Sequence, residues 1–163
     1  MELEEKIKLL RKKRADIYSL KKEAYELSNE VFGDWCKDVF TKHPKIKSFG
    51  WNQYTPYFND GDTCIFSANT EYLMINNEYV DDCEWVGSTN ITNYGTYNRE
   101  TKLYEGRVEV PNEKYDKELE TATDEIRNFL GMFDDDFYME KFGDHTEITV
   151  TAEGVEVDDY DHD

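Results

Sequence analysis

The chain has 163 residues, a length that suits one domain, and it holds 37 acidic against 19 basic residues, a formal net charge of −18. Only 38% of the residues are hydrophobic, but 15% are aromatic, and large rings can fill a core that has few aliphatic side chains. The negative charge argues against direct binding of nucleic acid and against an anionic membrane surface as a ligand.

The charge is divided unevenly along the chain. Residues 1–48 hold 12 Lys and Arg against 9 Asp and Glu, a net of +3, and residues 49–163 hold the other 7 basic and 28 acidic residues, a net of −21. We predict a long N-terminal helix over 1–43 whose first turns project, an acidic α+β body over 44–157, and a frayed acidic tail over 158–163.

Cysteine usage favours a reducing compartment. Cys36, Cys64 and Cys83 are odd in number, and neither they nor the histidines show the paired spacing of a zinc site. No apolar run approaches the ~20 residues that span a bilayer, and the N-terminus has no signal-peptide pattern. We therefore expect a cytoplasmic protein without a metal or cofactor.

The N-terminal segment carries a helical pattern. From Glu2 to about Lys42 there is no proline, and Pro44 prevents continuation of the helix. One helical face is marked by apolar residues at Ile17, Leu20, Ala24, Leu27, Val31 and Trp35, and Leu3, Ile7 and Leu10 continue a stripe towards the N-terminus.

What this helix contacts stays open. A strict heptad would place Arg14, Lys21 and Ser28 in the seam, which weakens the case for a long parallel coiled coil. The helix either packs along its own domain or forms an arm for a homo-oligomer or another partner. The basic run 11–14 is interpreted as a solvated helix face.

Beyond Pro44 short β-favouring runs predict an antiparallel sheet. Cys64–Phe66 and Tyr72–Ile75 have the character of buried strands, and residues 77–110 that of short strands with long loops. Together with the helices, this pattern predicts an α+β fold.

Two further helices and a hairpin are predicted towards the C-terminus. Pro111 is expected to open an amphipathic helix that ends near Gly131. Asp134–Asp136 are expected to cap a short helix ended by Gly143, and a hairpin that turns at Glu153-Gly154 closes the chain.

The densest feature is the segment W-N-Q-Y-T-P-Y-F-N-D-G-D at residues 51–62. It is interpreted either as an aromatic hairpin whose Asn-Asp-Gly-Asp turn fixes the register, or as a recognition surface with aromatic anchors. Its acids lack the spacing of a calcium loop. The candidate partner-binding residues are Trp51, Gln53, Tyr54, Tyr57, Asn59, Asp60 and Asp62, together with Asp134, Asp135 and Asp136.

The same residues carry a resemblance. Trp51 and Gln53–Asp62, with His43-Pro44 before them and Cys64-Ile65-Phe66 after them, resemble a motif of uncharacterised small proteins of large tailed bacteriophages of the T4-like kind. The resemblance covers roughly residues 44–75. It implies a phage origin, and hence the cytoplasm of an infected bacterium, but no particular activity.

The chain has no G-x-S-x-G, P-loop or G-x-G-x-x-G pattern, so we predict that it is not an enzyme. The leading hypothesis is a phage accessory protein that binds a host or phage protein with a basic surface, and so inhibits a host defence or redirects a host process. Two alternatives stay open: an acidic nucleic-acid mimic that occupies a DNA-binding cleft, and a small enzyme with an unrecognised site.

Overall fold

The computed structural model describes residues 2–80, 85 and 87–162. Cys83 lies outside the described residues. The predicted α+β fold is confirmed, since a long N-terminal helix, antiparallel strands, further helices and a C-terminal hairpin follow one another along the chain.

The helices have well-defined ends. They span Leu3–Lys42 (α1), Lys117–Leu130 (α2) and Asp135–Phe142 (α3). Glu2 and Glu5 form a capping box at the start of α1, and Asp116 and Asp134 accept backbone N–H bonds at the starts of α2 and α3. The predicted Asp134 cap and the end at Gly143 are confirmed.

The predicted start of α2 is wrong. Pro111 ends a strand, and α2 begins only at Lys117, after its cap Asp116. A proline is tolerated at the end of a strand as well as at a helix start, and here the Asp116 carboxylate, which accepts from Glu118 and Leu119, decides the boundary.

Ten strands are formed within the described residues. They are β1 (Ser48–Tyr54), β2 (Ser67–Ala68), β3 (Met74–Ile75), β4 (Glu78–Tyr79), β5 (Asn90–Asn93), β6 (Thr96–Asn98), β7 (Leu103–Glu105), β8 (Val108–Pro111), β9 (Thr146–Thr151) and β10 (Gly154–Asp159).

The main sheet has the antiparallel order β10-β9-β1-β3-β4, and β2 also pairs with β1. The long β1–β9 ladder places Trp51 opposite Ile148 and Phe49 opposite Val150. These four side chains are buried because this face of the sheet lies against the helices. Strand β10 forms one edge of the sheet, and all six of its residues are exposed.

One predicted strand is absent from the sheet, and another is only partly formed. Residues Cys64–Phe66 lie in a loop, and of Tyr72–Ile75 only Met74 and Ile75 pair, although Leu73 is fully buried. An apolar run signals burial as well as strand pairing, and here Leu73 is buried without pairing. Ile65, in contrast, is exposed.

Phe32 of α1 lies at the centre of the core. Its ring centroid is 5.7–6.4 Å from five other aromatic rings. They belong to Trp51, Phe129, Phe133, Phe137 and Phe142. One side chain thus joins α1 to the sheet, to α2, to the α2–α3 turn and to α3.

Residues 90–111 form a two-stranded ribbon of nested hairpins, β5 with β8 and β6 with β7. Asn112 anchors its base, because its side-chain amide donates to the carbonyl oxygens of Trp85 and Ser88. Tyr97 and Tyr104 lie exposed along the ribbon, with ring centroids 5.0 Å apart.

The first half of α1 extends beyond the body. Every residue from Glu2 to Ala24 is exposed, and burial against the body begins at Tyr25, whose ring lies 5.9 Å from that of Phe137. At 1.5 Å per residue the exposed part measures about 30 Å. Within the part of the chain that the structure describes, no helix combines the length and apolar character needed to cross a membrane.

Two glycines offer a matched test of this packing. A Cβ on Gly50 would lie 2.4 Å from the Ile148 carbonyl oxygen, so we expect Gly50→Ala to lower the free energy of unfolding by about 1–3 kcal/mol. A Cβ on Gly33, inside α1, meets nothing within 4 Å, and Gly33→Ala should raise it by up to about 1 kcal/mol. Urea unfolding measures both, and equal effects would contradict the close β1–β9 approach.

Candidate functional site

The 51–62 segment divides into a buried and an exposed part. Trp51 and Gln53 are both 0% exposed. The indole N–H of Trp51 donates to Gln53 Oε1 at 3.2 Å, and Gln53 Nε2 donates to the carbonyl oxygens of Tyr138 and Gly143 at 3.1 and 2.5 Å. These two predicted contact residues are therefore core residues that fix β1 to α3, and they are out of a partner's reach while the fold is intact.

The exposed part is the loop of residues 55–66, which we call the 55–66 loop. Its start is held by Asp144, whose carboxylate accepts from Thr55 N and Thr55 Oγ1, both at 2.7 Å. Just beyond its end, Ala68 N donates to Asp135 Oδ1 at 3.0 Å. Both ends of the loop are thus tied to residues that flank or begin α3.

The predicted turn within the loop is formed as expected. Asp62 N donates to the Asn59 carbonyl oxygen at 2.7 Å, and the two residues between them have positive φ, 44° at Asp60 and 93° at Gly61. This geometry suits the Asp-Gly pair, because both residue types tolerate the left-handed region. Asn59, Asp60 and Asp62 are exposed at the tip.

The three aspartates at the start of α3 have different roles. Asp134 caps the helix by accepting from Phe137 N at 2.9 Å, and Asp135 holds Ala68. The Asp136 carboxylate is free in solvent apart from a 4.0 Å ion pair with Lys21. The fold therefore brings Asp135 to the base of the 55–66 loop and leaves Asp136 facing α1.

Aromatic rings pack against one another near the start of the 55–66 loop. The Tyr57 ring lies parallel to those of His145 and His162, with centroids 4.8 and 4.6 Å away, and the Tyr54 ring lies 3.9 Å from His162. The two imidazoles share a hydrogen bond, with His145 Nδ1 3.1 Å from His162 Nε2. Tyr54 and Tyr57 thus meet in one cluster with two histidines.

Sequence patterns offered little sign of this stack. His145 and His162 are 17 residues apart, and the second belongs to the segment predicted to fray. Instead, β10 continues to Asp159, and Tyr160 N donates to the His145 carbonyl oxygen at 2.8 Å. The two histidines come together because of the register of the β9–β10 hairpin. Sequence patterns do not predict this register over the 17 residues that separate the two histidines.

Asp144 connects the loop to the histidines. Burial opposes its ionisation, but hydrogen bonds from the Thr55 side chain and from the Thr55 and His145 backbones outweigh that effect, so the pKa of the Asp144 carboxyl is lowered. The carboxylate is therefore ionised at neutral pH and holds Thr55 as a charged acceptor.

Metal ligands do not cluster in the described part of the chain, and the buried Cys36 thiol is not activated. Over residues 2–80, 85 and 87–162, no three or more His, Cys, Asp and Glu side chains gather as metal ligands. Burial, only partly opposed by the nearby Lys141, raises the pKa of the Cys36 thiol to about 12, so this thiol is a poor nucleophile. The 55–66 loop instead exposes large apolar side chains: Tyr57 is 64%, Phe58 76% and Ile65 73% exposed.

Three grooves lie elsewhere on the described surface. One of about 490 Å³ runs between α1 and α3, a second of about 490 Å³ between α1 and β10, and a third of about 220 Å³ between the end of α1 and the start of α2. The 55–66 loop lines none of these three. The exposed side chains of the loop therefore form a surface separate from these three grooves.

No protein-family model, curated protein or solved structure matches this chain.

Substitution of Gln53 tests the buried hydrogen bonds that join β1 to the end of α3. Gln53→Leu keeps the approximate volume but leaves the Trp51 indole N–H and two carbonyl oxygens without their partner, so we expect a loss of about 2–4 kcal/mol in the free energy of unfolding. Asn52→Leu, one residue away with a single side-chain partner in Asn69, should cost about 1 kcal/mol. Similar losses in both variants would contradict the role given to Gln53.

Acid should weaken the Asp144 contact. Because the pKa of Asp144 is lowered in the fold, its carboxylate stabilises the protein above the unfolded-state pKa, and this contribution is lost as the pH falls below about 4. Asp144→Asn cannot titrate, so its stability should depend less on pH in this range. Urea unfolding at a series of pH values measures the difference, and an unchanged slope would speak against the contact.

Proposed function

We propose that this chain is a non-enzymatic accessory protein that binds another protein through the 55–66 loop. The observation that carries the proposal is the exposure of Tyr57, Phe58 and Ile65 on a loop whose ends are held by Asp144 and Asp135. Tyrosine is enriched at the energetic centres of protein interfaces. A loop held in one conformation also loses less entropy on binding.

The charge indicates the chemistry of the partner. Asp60 and Asp62 are exposed beside the apolar side chains, on a body of net charge −21. A complementary surface has an apolar recess with lysine and arginine around its rim, and long-range attraction between the two surfaces accelerates encounter.

The biological setting that we propose rests on a resemblance. The resemblance of residues 51–62 to proteins of T4-like phages supports a phage-encoded protein in the cytoplasm of an infected bacterium. In that setting we propose that the partner is a host or phage protein, and that binding inhibits a host defence or redirects a host process.

A second candidate function is nucleic-acid mimicry, in which carboxylates occupy a DNA-binding cleft. The β9–β10 hairpin favours it, because Glu147 lies opposite Asp158 and Glu156 lies two residues along the same face. These carboxylates form an acidic strip on the outer side of the sheet. A mimic of this kind binds through charge, so its affinity falls steeply with salt.

Affinity capture with matched variants tests the leading proposal. We expect the full chain to capture a stoichiometric partner from bacterial lysate, and Tyr57→Ser with Phe58→Ser and Ile65→Ser to reduce that capture at least about tenfold. The control is Tyr97→Ser with Leu103→Ser and Tyr104→Ser, which removes comparably exposed side chains from the ribbon and should leave capture unchanged.

Other outcomes separate the two candidates. Capture that is lost only in the ribbon variant, or no stoichiometric partner at all, would contradict binding through the 55–66 loop. A complex that dissociates with added salt, competes with DNA and is lost on Glu156→Gln with Asp158→Asn would favour the mimic.

A further inference from the structure

Helix α1 has a second apolar face that the body does not cover. From residue 17 to residue 31 apolar side chains recur at spacings of three and four, and Leu20 and Leu27 are 63% and 60% exposed. The members are Ile17, Leu20, Ala24, Leu27 and Val31, which we call the α1 seam. Leu27 and the buried Phe32 are five positions apart, about 140° around the helix, so the two leucines of the seam lie on a different face from Phe32.

The packing of α1 on the body shows which of its two possible heptad frames is exposed. In the frame that contains Lys21 and Ser28, both residues border the groove against α3, and Lys21 pairs with Asp136 at 4.0 Å. In the frame of the α1 seam, Leu20 and Leu27 occupy the interface positions that Lys21 and Ser28 occupy in the other frame. With Ile17, Ala24 and Val31 at heptad position a and the two leucines at d, the seam has the pattern of a coiled-coil interface.

The flanking charges indicate what covers the seam. In this frame position g is acidic, with Asp16, Glu23 and Glu30, and position e holds the basic residues Arg14 and Lys21 followed by the uncharged Ser28. A parallel second copy places Asp16 of one helix beside Lys21 of the other, twice by symmetry. An antiparallel copy places g against g and e against e, so that acid meets acid and base meets base.

We propose that two copies of this chain pair in parallel through residues 16–31 of α1. Because Leu20 and Leu27 lie on a different face from Phe32, pairing through them does not displace the packing of α1 on its own body. Towards the N-terminus the d position is occupied by Lys13, which limits the seam to about two heptads. The association is therefore concentration-dependent, and it does not rest on the 55–66 loop or on any other partner.

Sedimentation equilibrium of the full chain tests the dimer. We expect a monomer–dimer equilibrium, and Leu20→Asn with Leu27→Asn should raise the dimer Kd at least about a hundredfold. Tyr18→Asn removes a large side chain of the same helix that is more exposed than either leucine but lies outside the seam, and it should leave the Kd unchanged. Circular dichroism verifies that all variants keep their helix content. A monomer at every concentration up to the millimolar range overturns the proposal.

Two neighbouring basic residues test the frame. Lys13→Leu extends the seam by one d position, so we expect the Kd to fall at least about tenfold. Arg14→Leu, which makes a similar change one residue away, lies in the other frame and should have a smaller effect. A larger gain from Arg14→Leu would overturn the assignment of the seam.

A charge exchange tests the orientation. Asp16→Lys or Lys21→Asp alone should raise the Kd about tenfold, because each replaces two attractions by two repulsions, and the double variant should restore it. In an antiparallel pair Asp16 approaches acidic g positions, so tighter association of Asp16→Lys would overturn the parallel arrangement.

Discussion

The fold depends on the placement of one ring. Phe32 belongs to a helix of 40 residues, and this ring brings that helix against Trp51 of the sheet and against Phe129, Phe137 and Phe142 of the other two helices. Few aliphatic residues are available in so polar a chain, and the stacked and edge-on rings supply the buried area instead. The two other helices are fixed relative to the sheet through contacts that converge on Phe32.

A group of buried hydrogen bonds lies beside the Phe32 ring. Trp51 meets Phe32 edge-on, and its N–H is satisfied by Gln53, whose amide also reaches the Tyr138 and Gly143 carbonyl oxygens around the end of α3. A buried amide with its donors and acceptor satisfied defines one arrangement of strand and helix more sharply than apolar contact alone. The same end of β1 leads into Thr55, so the buried hydrogen bonds of Gln53 and the 55–66 loop are consecutive along the chain.

Sequence patterns predicted the elements that have local causes. The long α1, the Asp134 cap, the stop at Gly143 and the terminal hairpin follow from helical spacing, capping chemistry and strand alternation. The errors arose where one residue type is compatible with two different local structures. Pro111 suits a strand end as well as a helix start, and Leu73 shows that burial does not require pairing. The candidate site was predicted as a segment without its division into buried and exposed residues. The inward set Phe49, Trp51 and Gln53 depends on the sheet face that the helices cover, and the His145–His162 contact depends on hairpin register.

The exposed edge of the sheet has a consequence for how copies of the protein meet. An open strand with free backbone groups can pair with another open strand and begin aggregation, a hazard that proteins reduce with short edge strands or with charge. Among the described strands, β4 at one edge has only two residues, and β10 at the other carries Glu156, Asp158 and Asp159. Strand-to-strand growth of β10 would bring these carboxylates close to one another at neutral pH. The acidity of the body thus protects the sheet edge and leaves helix-to-helix contact as the less opposed route between copies.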